Sequence, residues 1–428
     1  HRDEALEREA APGGGYNFSN AVKRSAENFM HSFRKPFGRF NVPSKVAPLD
    51  CPYPAHVKDL PAPMDVEALA APGSELDVLY RTFNRSAAIY EKHLPRKPTK
   101  QPCATLTDVD IKVMEDKGVI RRIPLSECKA FSRVWATPIE SKRVKRIIQW
   151  PVDCNNAFRD VYTPDVYGKI KLPSTTEQMR DACWEGALYS VTHDLSVSFM
   201  QLAYSPEVAA YHAFRHKNAA GVTEYYCATA SVMGGIVNSH LMQLCVERAT
   251  ELALADLAVS HPSAEVRVSV YIDGARGLGR TAAEVDAYAK HFVDRCAQFS
   301  ITLNNDGYLN HAHTSGEFLG VMFDYKGVHT TAQLASKTLK KVTERAATFC
   351  RDPNQSVHDL LSTYGLMQFA STVLRLDLAA AYPALKFSSR RFSALANERI
   401  DQSSPMNLWP SARPAFQAWL TSAADNVP

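Results

Sequence analysis

The chain has 428 residues, of which 45% are hydrophobic, 22% charged and 10% aromatic. This ordinary globular composition excludes wholesale disorder, a collagen-like fold and a coiled coil. The formal net charge of +4 permits nucleic-acid binding without indicating it, because the placement of the basic residues decides that question.

The apolar runs and the cysteines of the sequence indicate the cellular compartment of the protein. No stretch approaches the ~20 apolar residues that a membrane helix needs, so no membrane contact is expected. The first segment, HRDEALEREAAPGGG, lacks the regions of a secretory signal, and His1 suggests that the natural start lies upstream. The nine cysteines are scattered without a CxxC pair, which predicts reduced thiols, no zinc site and a cytoplasmic or nuclear location.

Residues 1–105 are predicted to form a poorly ordered extension. Prolines and glycines are frequent there, as in Pro12-Gly13-Gly14-Gly15, and they interrupt helices and strands alike. The basic stretch LPRKPTK is interpreted as a solvated linker. One short helix is predicted over 75–93, where apolar side chains recur at helical spacing: Leu76, Leu79, Tyr80 and Phe83.

From residue 106 strands and helices alternate, which predicts an α+β fold. LTDVDIKVMEDKG predicts a capped helix that ends at Gly118. Strands are predicted in VWATPIES, KRIIQWPV, ALYSVTHDL, EYYCATA and ITLNN, and helices over 238–258 and in AAEVDAYAKHFVDRCAQF. VRVSVYIDG predicts a strand with a turn at Asp273-Gly274, and EFLGVMFDYKGVHT predicts a hairpin. The chain after residue 331 is predicted to be helical.

Two aspartates stand out by position. Asp194 ends one predicted strand and Asp273 ends another, and such carboxylates can converge at one edge of a sheet. They repel each other unless a cation such as Mg²⁺ neutralises them, and two divalent ions there would support in-line nucleotidyl transfer. Spacing alone favours the simpler interpretation, in which both are turn residues.

The surrounding segments favour the catalytic interpretation. From about Thr107 to Leu378 the chain resembles the reverse transcriptase domain of retroelements. The fingers of the family resemble two segments, MEDKGVIRRIPLSECKAFSRVWATPIESK and KRVKRIIQWPVDCNN. Motif A resembles HDLSVSFMQLAYSPEVAAYHAF, motif B resembles YYCATASVMGGIVNSHLMQ, and motif C resembles VSVYIDG. SITLNNDGYLN resembles motif D, and GEFLGVMFDYKGV resembles motif E, the primer grip. This ordered set of blocks is specific, whereas a lone YxD would not be.

The resemblance implies a right-hand polymerase, with fingers and an antiparallel palm sheet over 106–331 and a helical thumb and connection over 332–428. The implied function is RNA-directed DNA synthesis with dNTPs on a primed RNA or DNA template, using Mg²⁺ or Mn²⁺. SVHDLLSTYGLMQFASTVLRLDL resembles DIRS-type tyrosine-recombinase retrotransposons, the group that includes the kinetoplastid VIPER elements. WPSARPAFQAWL is similar to the lead-in to an RNase H domain, so RNase H and recombinase domains are expected downstream.

The resemblance also implies roles around the carboxylates. Asp194 and Asp273 would bind the metal ions, and the backbone carbonyl of Leu195 would complete the metal shell. Phe199 stands where the family keeps an aromatic gate against a ribose 2′-OH, although a core aromatic is an equally good interpretation. Gln201 follows it and could line the same pocket.

Further residues are implied to contact the nucleotide. Lys145 and Arg146 fall where the family's fingers contact the incoming triphosphate, although such basic strands are more often simply solvated. Gly234 falls where the backbone approaches nucleotide and template, or is a plain turn glycine. The implied primer and template contacts are Tyr271 in motif C and the motif E residues Gly316, Phe318, Leu319 and Gly320.

Three positions depart from the family pattern. Gly274 replaces the second aspartate of motif C, and Val197 is apolar where motif A usually has a further carboxylate. Gly307 stands near the usual motif D lysine, with His311 and His313 as candidate substitutes. The alternative function is therefore a weakened or catalytically dead reverse-transcriptase-like scaffold that binds nucleic acid. A decayed element fragment without function is a third option.

Two other basic or glycine-rich stretches carry weaker signals. GARGLGR follows a strand, but its spacing matches neither the dinucleotide-binding loop nor the P-loop, so it is not expected to bind phosphate. The helix in SKTLKKVTER could track a phosphate backbone, although a solvated helix face is nearly as good an interpretation. Affinity for a primer–template should come mostly from phosphate contacts and should fall with salt.

Overall fold

The computed structural model describes residues 46–425 except 96–100, 160, 306, 328 and 353. Predictions for residues 1–45 and for the linker residues 96–100 therefore lie outside the described residues. The described chain forms two compact units. The larger contains residues 46–318 and 323–331, and the smaller contains residues 319–322 and 332–425. None of the helices described is long and apolar enough to cross a membrane.

The larger unit begins with the helices α1 (Val66–Leu69), α2 (Glu75–Asn84) and α3 (Ser86–His93). The helix predicted over 75–93 is confirmed, with a break at Arg85. Large side chains of this segment are buried in the main apolar core of the unit, namely Met64, Leu69, Leu79, Phe83 and Tyr90. Burial of one such side chain stabilises a fold by about 1.5–3 kcal/mol. Residues 64–93 are therefore not the poorly ordered extension that the frequent prolines and glycines predict.

Helix α4 (Asp108–Asp116) begins at a capping box, in which Thr107 and Asp110 accept hydrogen bonds from each other's backbone N–H groups. Gly118 follows with a φ of +72°, a left-handed value typical of helix ends. The predicted capped helix is therefore confirmed. Shorter helices follow later in the unit: α5 (Val152–Arg159), α6 (Pro164–Tyr167), α7 (Thr175–Ala182) and α8 (Pro206–Ala209).

Two small antiparallel sheets lie in this part of the chain. Strands β2 (Arg133–Ile139) and β3 (Val144–Trp150) form a hairpin. A second sheet has the order β1-β6-β5 and comprises Ile120–Arg122, Thr223–Ala228 and Ala213–Lys217. The strands predicted in VWATPIES, KRIIQWPV and EYYCATA are confirmed here.

The central sheet of the larger unit has three antiparallel strands in the order β4-β8-β7, with β4 at Tyr189–Asp194, β8 at Gly274–Gly279 and β7 at Val266–Tyr271. Helix α10 (Ala282–Gln298) packs on β4 and β8, and α9 (Asn238–Ser260) packs on α10 and β7. The α+β class is therefore confirmed.

The middle strand of this sheet, β8, consists of the glycine-rich GARGLG stretch, which carries no strand pattern in the sequence. A Cβ at Gly277 would lie 2.9 Å from the ring of Tyr288, and a Cβ at Gly279 would lie 2.8 Å from Cγ2 of Val285. Both neighbours belong to α10. The glycines therefore let the helix approach the sheet closely, which is a packing role rather than a phosphate-binding one.

Two local predictions are wrong. Tyr271 pairs with Gly274, so the hairpin turn is formed by Ile272 and Asp273, and Gly274 already belongs to β8. ITLNN forms no strand and makes only a single bridge between Leu303 and Leu195. Around this bridge the backbone N–H of Ser196 donates to the carbonyl oxygen of Thr302, but the N–H of Thr302 donates to Oε1 of the buried Gln201 and not to a neighbouring strand.

Strands β9 (Ser315–Phe318), β10 (Val321–Asp324) and β11 (Thr331–Leu334) form a sheet in the order β11-β10-β9. The predicted hairpin in EFLGVMFDYKGVHT is confirmed as β9 and β10. Its two turn residues, Leu319 and Gly320, have φ values of +51° and +79°. Positive φ at both central positions is the pattern of a type I′ turn.

The smaller unit is mainly helical, as predicted. Its helices are α11 (Ser336–Thr348), α12 (Val357–Leu374), α13 (Tyr382–Ala396) and α14 (Ala412–Asp425). Helix α14 contains most of the WPSARPAFQAWL segment and packs against the other three helices. Phe416 and Trp419 of α14 are buried, and Nε1 of Trp419 donates to Oγ of Ser371 at 2.7 Å. This segment is therefore an integral part of the helical unit.

Candidate active site at the carboxylate edge of the central sheet

The ends of two neighbouring strands bring Asp194 and Asp273 together. Asp194 is the last residue of β4 and pairs in register with Gly274. The backbone N–H of Leu195 donates to the carbonyl oxygen of Asp273 at 3.0 Å. Since hydrogen-bonded strands lie about 4.8 Å apart, the two aspartates occupy adjacent positions at one edge of the sheet.

Neutral side chains hold both carboxylates. Nδ2 of Asn304 donates to Oδ2 of Asp194 at 2.6 Å and also lies 3.4 Å from the carbonyl oxygen of Leu195. Oγ of Ser198 donates to Oδ2 of Asp273 at 2.7 Å. Both donors are neutral groups, and their hydrogen bonds orient the carboxylates. The sequence interpretation did not include Asn304 and Ser198, although both stand inside the segments that resemble motifs D and A.

The backbone is strained at Ile272, directly before Asp273, and at Val197, directly before Ser198. Val197 has a φ of +44° and Ile272 a φ of +56°. Left-handed backbone is a genuine outlier for β-branched residues, and it costs roughly 1–3 kcal/mol at each position. Gln243 of α9 holds one of these residues, since its Oε1 accepts from the backbone N–H of Ile272 at 2.5 Å. Such strain persists only where the surroundings fix it, and it is typical of functional sites.

A buried histidine supports the loop that carries Asn304. His193 is fully buried beside Asp194, and burial lowers the pKa of its imidazole to about 4. The ring is therefore neutral near pH 7, and its Nδ1 lies 2.7 Å from Oδ1 of Asn310. Nδ2 of Asn310 donates to the carbonyl oxygen of Asn304 at 3.1 Å. This chain of contacts fixes Asn304, and through it Asp194.

Gln201 has a structural role, which corrects the expectation that it lines the same pocket as Phe199. It is fully buried, and its Nε2 donates to the carbonyl oxygens of Ser196 and Thr302, each at 2.8 Å. Its Oε1 accepts from the backbone N–H of Thr302 at 2.8 Å. Gln201 thereby joins the loop after β4 to residues 301–303. The half-buried Phe199 lies in the same 3₁₀ turn, Ser198–Gln201, packed against the apolar core.

The two basic residues of β3 face opposite sides. Nζ of Lys145 lies 2.8 Å from Oδ2 of Asp110, and both side chains are 4% exposed or less. The charge of Lys145 is therefore neutralised inside the fold, and Lys145 is not available for the triphosphate contact that the resemblance implies. Arg146 is exposed, because side chains alternate along a strand.

Gly234 lies between β6 and α9 with a φ of +108°. Its carbonyl oxygen accepts from Nδ2 of Asn155 at 2.8 Å, and a Cβ at this position would lie 3.4 Å from the carbonyl oxygen of Gln149. The positive φ and this close backbone approach favour glycine. The structure thus places Gly234 against the end of β3, where Asn155 holds the loop.

The residues implied for the primer fall into two groups. Phe318 is buried in β9, and its Cε2 lies 3.9 Å from the position that a Cβ on Gly274 would take. Tyr271 is half-buried at the end of β7, and Gly316 is buried in β9. Phe318 is therefore adjacent to the carboxylate edge. The other two, Leu319 and Gly320, form the turn after β9 and belong to the smaller unit.

The two candidate substitutes for the motif D lysine, His311 and His313, lie in the loop between α10 and β9. The ring of His313 stacks on Tyr308 at 4.1 Å, and its Nε2 lies 2.8 Å from the carbonyl oxygen of Tyr308. His311 is exposed, and so is Gly307. The ammonium group of Lys58, a residue near the start of the larger unit, does contact this loop: its Nζ lies 3.0 Å from Oδ1 of Asn304. The sequence interpretation missed Lys58.

The donor atoms at this edge fit a hard divalent cation. The carboxylates of Asp194 and Asp273 and the carbonyl of Leu195 are all oxygen ligands, the type that Mg²⁺ prefers. Within the part of the chain that the structure describes, no group of three or more His, Cys, Asp or Glu side chains is arranged to hold a metal ion. The protein would therefore supply few ligands, and water and phosphate oxygens would complete the shell, as is usual for Mg²⁺.

Comparisons with known proteins give little further information. No protein-family model matches the chain, and no curated protein matches it. Among solved structures, the chain is similar to the foamy viral protease–reverse transcriptase in complex with ds DNA. The sequence identity is 12% and the TM-score 0.49, over 87% of this chain and 62% of that one, so the chain spans less than two thirds of that protein's length.

Proposed function

We propose that the chain is the RNA-directed DNA polymerase of a retroelement, with a right-hand arrangement of fingers, palm and thumb. The observation that carries this proposal is the adjacency of Asp194 and Asp273, joined through the Leu195 N–H at 3.0 Å from the Asp273 carbonyl oxygen. The ordered sequence blocks that resemble reverse transcriptases support it. The assignment to DIRS-type elements, with RNase H and recombinase domains encoded downstream, rests on the sequence resemblance alone.

The primer 3′-hydroxyl gives up its proton to solvent, its oxygen forms a bond to the α-phosphorus of a dNTP, and the bond from that phosphorus to the pyrophosphate oxygen breaks. Asp194, Asp273 and the carbonyl of Leu195 would hold Mg²⁺, which supplies charge stabilisation to a reacting phosphoryl group when bound. Asn304 and Ser198 keep the carboxylates oriented. Their hydrogen bonds are formed before substrate arrives, so little reorganisation is needed during the reaction.

Selection of the sugar is assigned to Phe199. Its ring follows directly after Ser198, whose hydroxyl binds Asp273, so the position of the ring is coupled to the carboxylate edge. A ring at this place would clash with a ribose 2′-OH and would favour dNTPs. Template pairing, rather than a protein side chain, would select the base.

A second candidate function is a catalytically weakened or dead scaffold that binds nucleic acid. The observation that favours it is Gly274, which stands in β8 directly opposite Tyr271 and contributes no carboxylate. With two carboxylates at the edge, the site attracts divalent cations less strongly than a site with three. In this case the protein would bind a primer–template but would not extend it.

Primer extension on an RNA template separates these two functions. The purified protein is assayed with Mg²⁺ and with Mn²⁺, beside Asp194→Asn and Asp273→Asn, which keep the size of each side chain. Asp116→Asn is the matched control, because Asp116 is an exposed residue of α4 outside the site. We expect extension that both site variants abolish and the control retains. If folded protein binds the primer–template but extends it neither with Mg²⁺ nor with Mn²⁺, the polymerase function is overturned and the scaffold function remains.

A further inference from the structure

A segment before the reverse-transcriptase-like blocks runs along the basic strand β3. The backbone N–H of Lys145 donates to the carbonyl oxygen of Pro54 at 2.9 Å, and the N–H of His56 donates to the carbonyl oxygen of Lys145 at 2.8 Å. Ala55 and Lys145 form a parallel bridge. Residues 54–56 thus extend the β2–β3 hairpin, and the chain reaches Lys58 two residues later.

The side chain of Lys58 ends at the candidate active site. Its Nζ lies 3.1 Å from Oγ of Ser196 and 3.0 Å from Oδ1 of Asn304. The same Asn304 donates from Nδ2 to Asp194 at 2.6 Å, so a single amide group separates the ammonium from a carboxylate that we assign to catalysis. Both partners of Lys58 are neutral. Among the described residues it forms no ion pair, so its positive charge is available to an anion.

Other basic residues lie along the same segment. The parallel bridge between Ala55 and Lys145 sets His56 beside Arg146. Burial lowers the pKa of His56, and the positive charges of Lys142, Lys58 and Arg146 lower it further. All three basic side chains are exposed. Of the three, Lys58 is the one whose hydrogen bonds place it at the carboxylate edge.

We propose that Lys58 binds the polyphosphate of the substrate and contacts the pyrophosphate group as it leaves. This inference rests on the proposed function and names a residue that lies outside every block of the resemblance. A triphosphate carries several negative charges, and charge-assisted hydrogen bonds from lysine and arginine are the usual means of binding it. The charge of Lys145 is neutralised by Asp110 and Gly307 has no side chain, so neither residue supplies such a contact.

Titration with inorganic tripolyphosphate tests the site without a primer or template. Isothermal titration calorimetry in the presence of Mg²⁺ compares the wild type with Lys58→Gln, Lys58→Arg and the control Lys169→Gln, which removes an exposed lysine of the same unit. We expect Lys58→Gln to weaken binding about tenfold or more, the loss of one charge-assisted hydrogen bond. Lys58→Arg should retain most of the affinity and Lys169→Gln all of it. Wild-type protein that does not bind, or equal binding by Lys58→Gln, would overturn the proposal.

The same variants in primer extension separate this inference from the proposed function. We expect Lys58→Gln to raise the KM for dNTP or lower kcat, while primer–template affinity stays unchanged. If the wild type fails to extend primers but binds tripolyphosphate through Lys58, the polymerase is wrong and the polyphosphate site stands. If it extends primers, and Lys58→Gln changes neither dNTP kinetics nor tripolyphosphate affinity, the polymerase stands and the role of Lys58 is wrong.

Discussion

Asn304 donates a hydrogen bond of 2.6 Å to Oδ2 of Asp194, a residue that stands 110 positions earlier in the chain. Partners that orient a ligand residue typically contribute 10–100-fold to metal affinity or activity. We therefore expect Asn304→Ala to reduce kcat for primer extension by roughly that factor. The KM for the primer–template should not change, because Asn304 acts through Asp194. Loss of template affinity instead of kcat would contradict this positioning role.

Asn304→Asp is the informative companion variant. It keeps the size of the side chain but replaces the amide donor beside Asp194 with a second carboxylate. We expect it to impair activity at least as much as the alanine variant, with a shifted Mg²⁺ requirement. A titration of activity against Mg²⁺ concentration measures this shift.

Gly274→Asp restores the carboxylate that the family pattern contains. A Cβ at this position would lie 3.6 Å from the carbonyl oxygen of His193 and 3.9 Å from the ring of Phe318, which are ordinary contacts. We expect the variant to fold, to require less Mg²⁺ for half-maximal activity, and to extend primers faster. Unchanged Mg²⁺ dependence in a folded variant would show that position 274 has no part in binding the ion.

Gly277 lies three residues after Gly274 on the same strand, and the variant Gly277→Ala is expected to clash where Gly274→Asp does not. Its Cβ would lie 2.9 Å from the ring of Tyr288 and 3.0 Å from Cγ1 of Val191. Overpacking of this kind costs about 1–3 kcal/mol. Urea denaturation should therefore show a lower unfolding free energy for Gly277→Ala and little change for Gly274→Asp.

Two buried histidines should make the larger unit sensitive to acid. Burial lowers the pKa of His193 to about 4 and that of His212 to about 3. The unfolded imidazoles take up protons near pH 6.5, so between that pH and about 4 the unfolded state binds more protons. Stability is then complete above pH 6.5 and falls as the pH drops toward 4, by about 3 kcal/mol for His193 alone. Urea midpoints measured across this range check the slope.

His212→Phe should reduce this acid sensitivity. Neither ring nitrogen of His212 has a hydrogen-bond partner among the described residues, and the ring stacks on Tyr204 at 4.4 Å. Phenylalanine keeps the stacking and removes the proton-binding group. The exposed His311, changed to Gln, is the control and should leave the slope unchanged. An unaltered slope in His212→Phe would show that other groups dominate acid unfolding.

Adjacent residues of β3 should respond oppositely to substitution. Lys145→Met leaves Asp110 buried without its cation, and breaking a buried pair in this way costs about 3–5 kcal/mol. Arg146→Gln removes an exposed charge and should change stability by no more than about 0.5 kcal/mol. Arg146→Gln should instead raise the KM for dNTP. Combining Lys145→Met with Asp110→Asn removes the buried charge and keeps an acceptor for the Thr107 N–H, so it should recover much of the lost stability in a denaturant series.

Strong periodic patterns made much of the fold predictable. Alternation in VRVSVYIDG and the apolar stripe from Asn238 predict β7 and α9 correctly. The strand β8 could not be predicted, because its glycines reflect the close approach of α10, which is visible only in three dimensions. The sequence also could not predict which side of β3 faces the core. Alternation along the strand shows that Lys145 and Arg146 point to opposite sides, but it does not show which of the two is buried.

The candidate site was predictable only in part. Strand ends and the motif resemblance indicated Asp194 and Asp273. Asn304, Gln201 and Lys58 act through hydrogen bonds to distant segments, and such contacts leave no periodic signal in the sequence. Lys58 in particular lies in a proline-rich stretch whose composition predicts poor order.

The early helices have a practical bearing on the choice of fragments for expression. A fragment that starts at residue 106, where the resemblance to a known family begins, would lack Leu79 and Phe83 and leave their side of the apolar core open to water. It would also lack Lys58. Such a fragment would be prone to aggregate, and its inactivity would reflect these missing side chains rather than the chemistry of the whole protein. The shortest informative fragment therefore begins before Pro54.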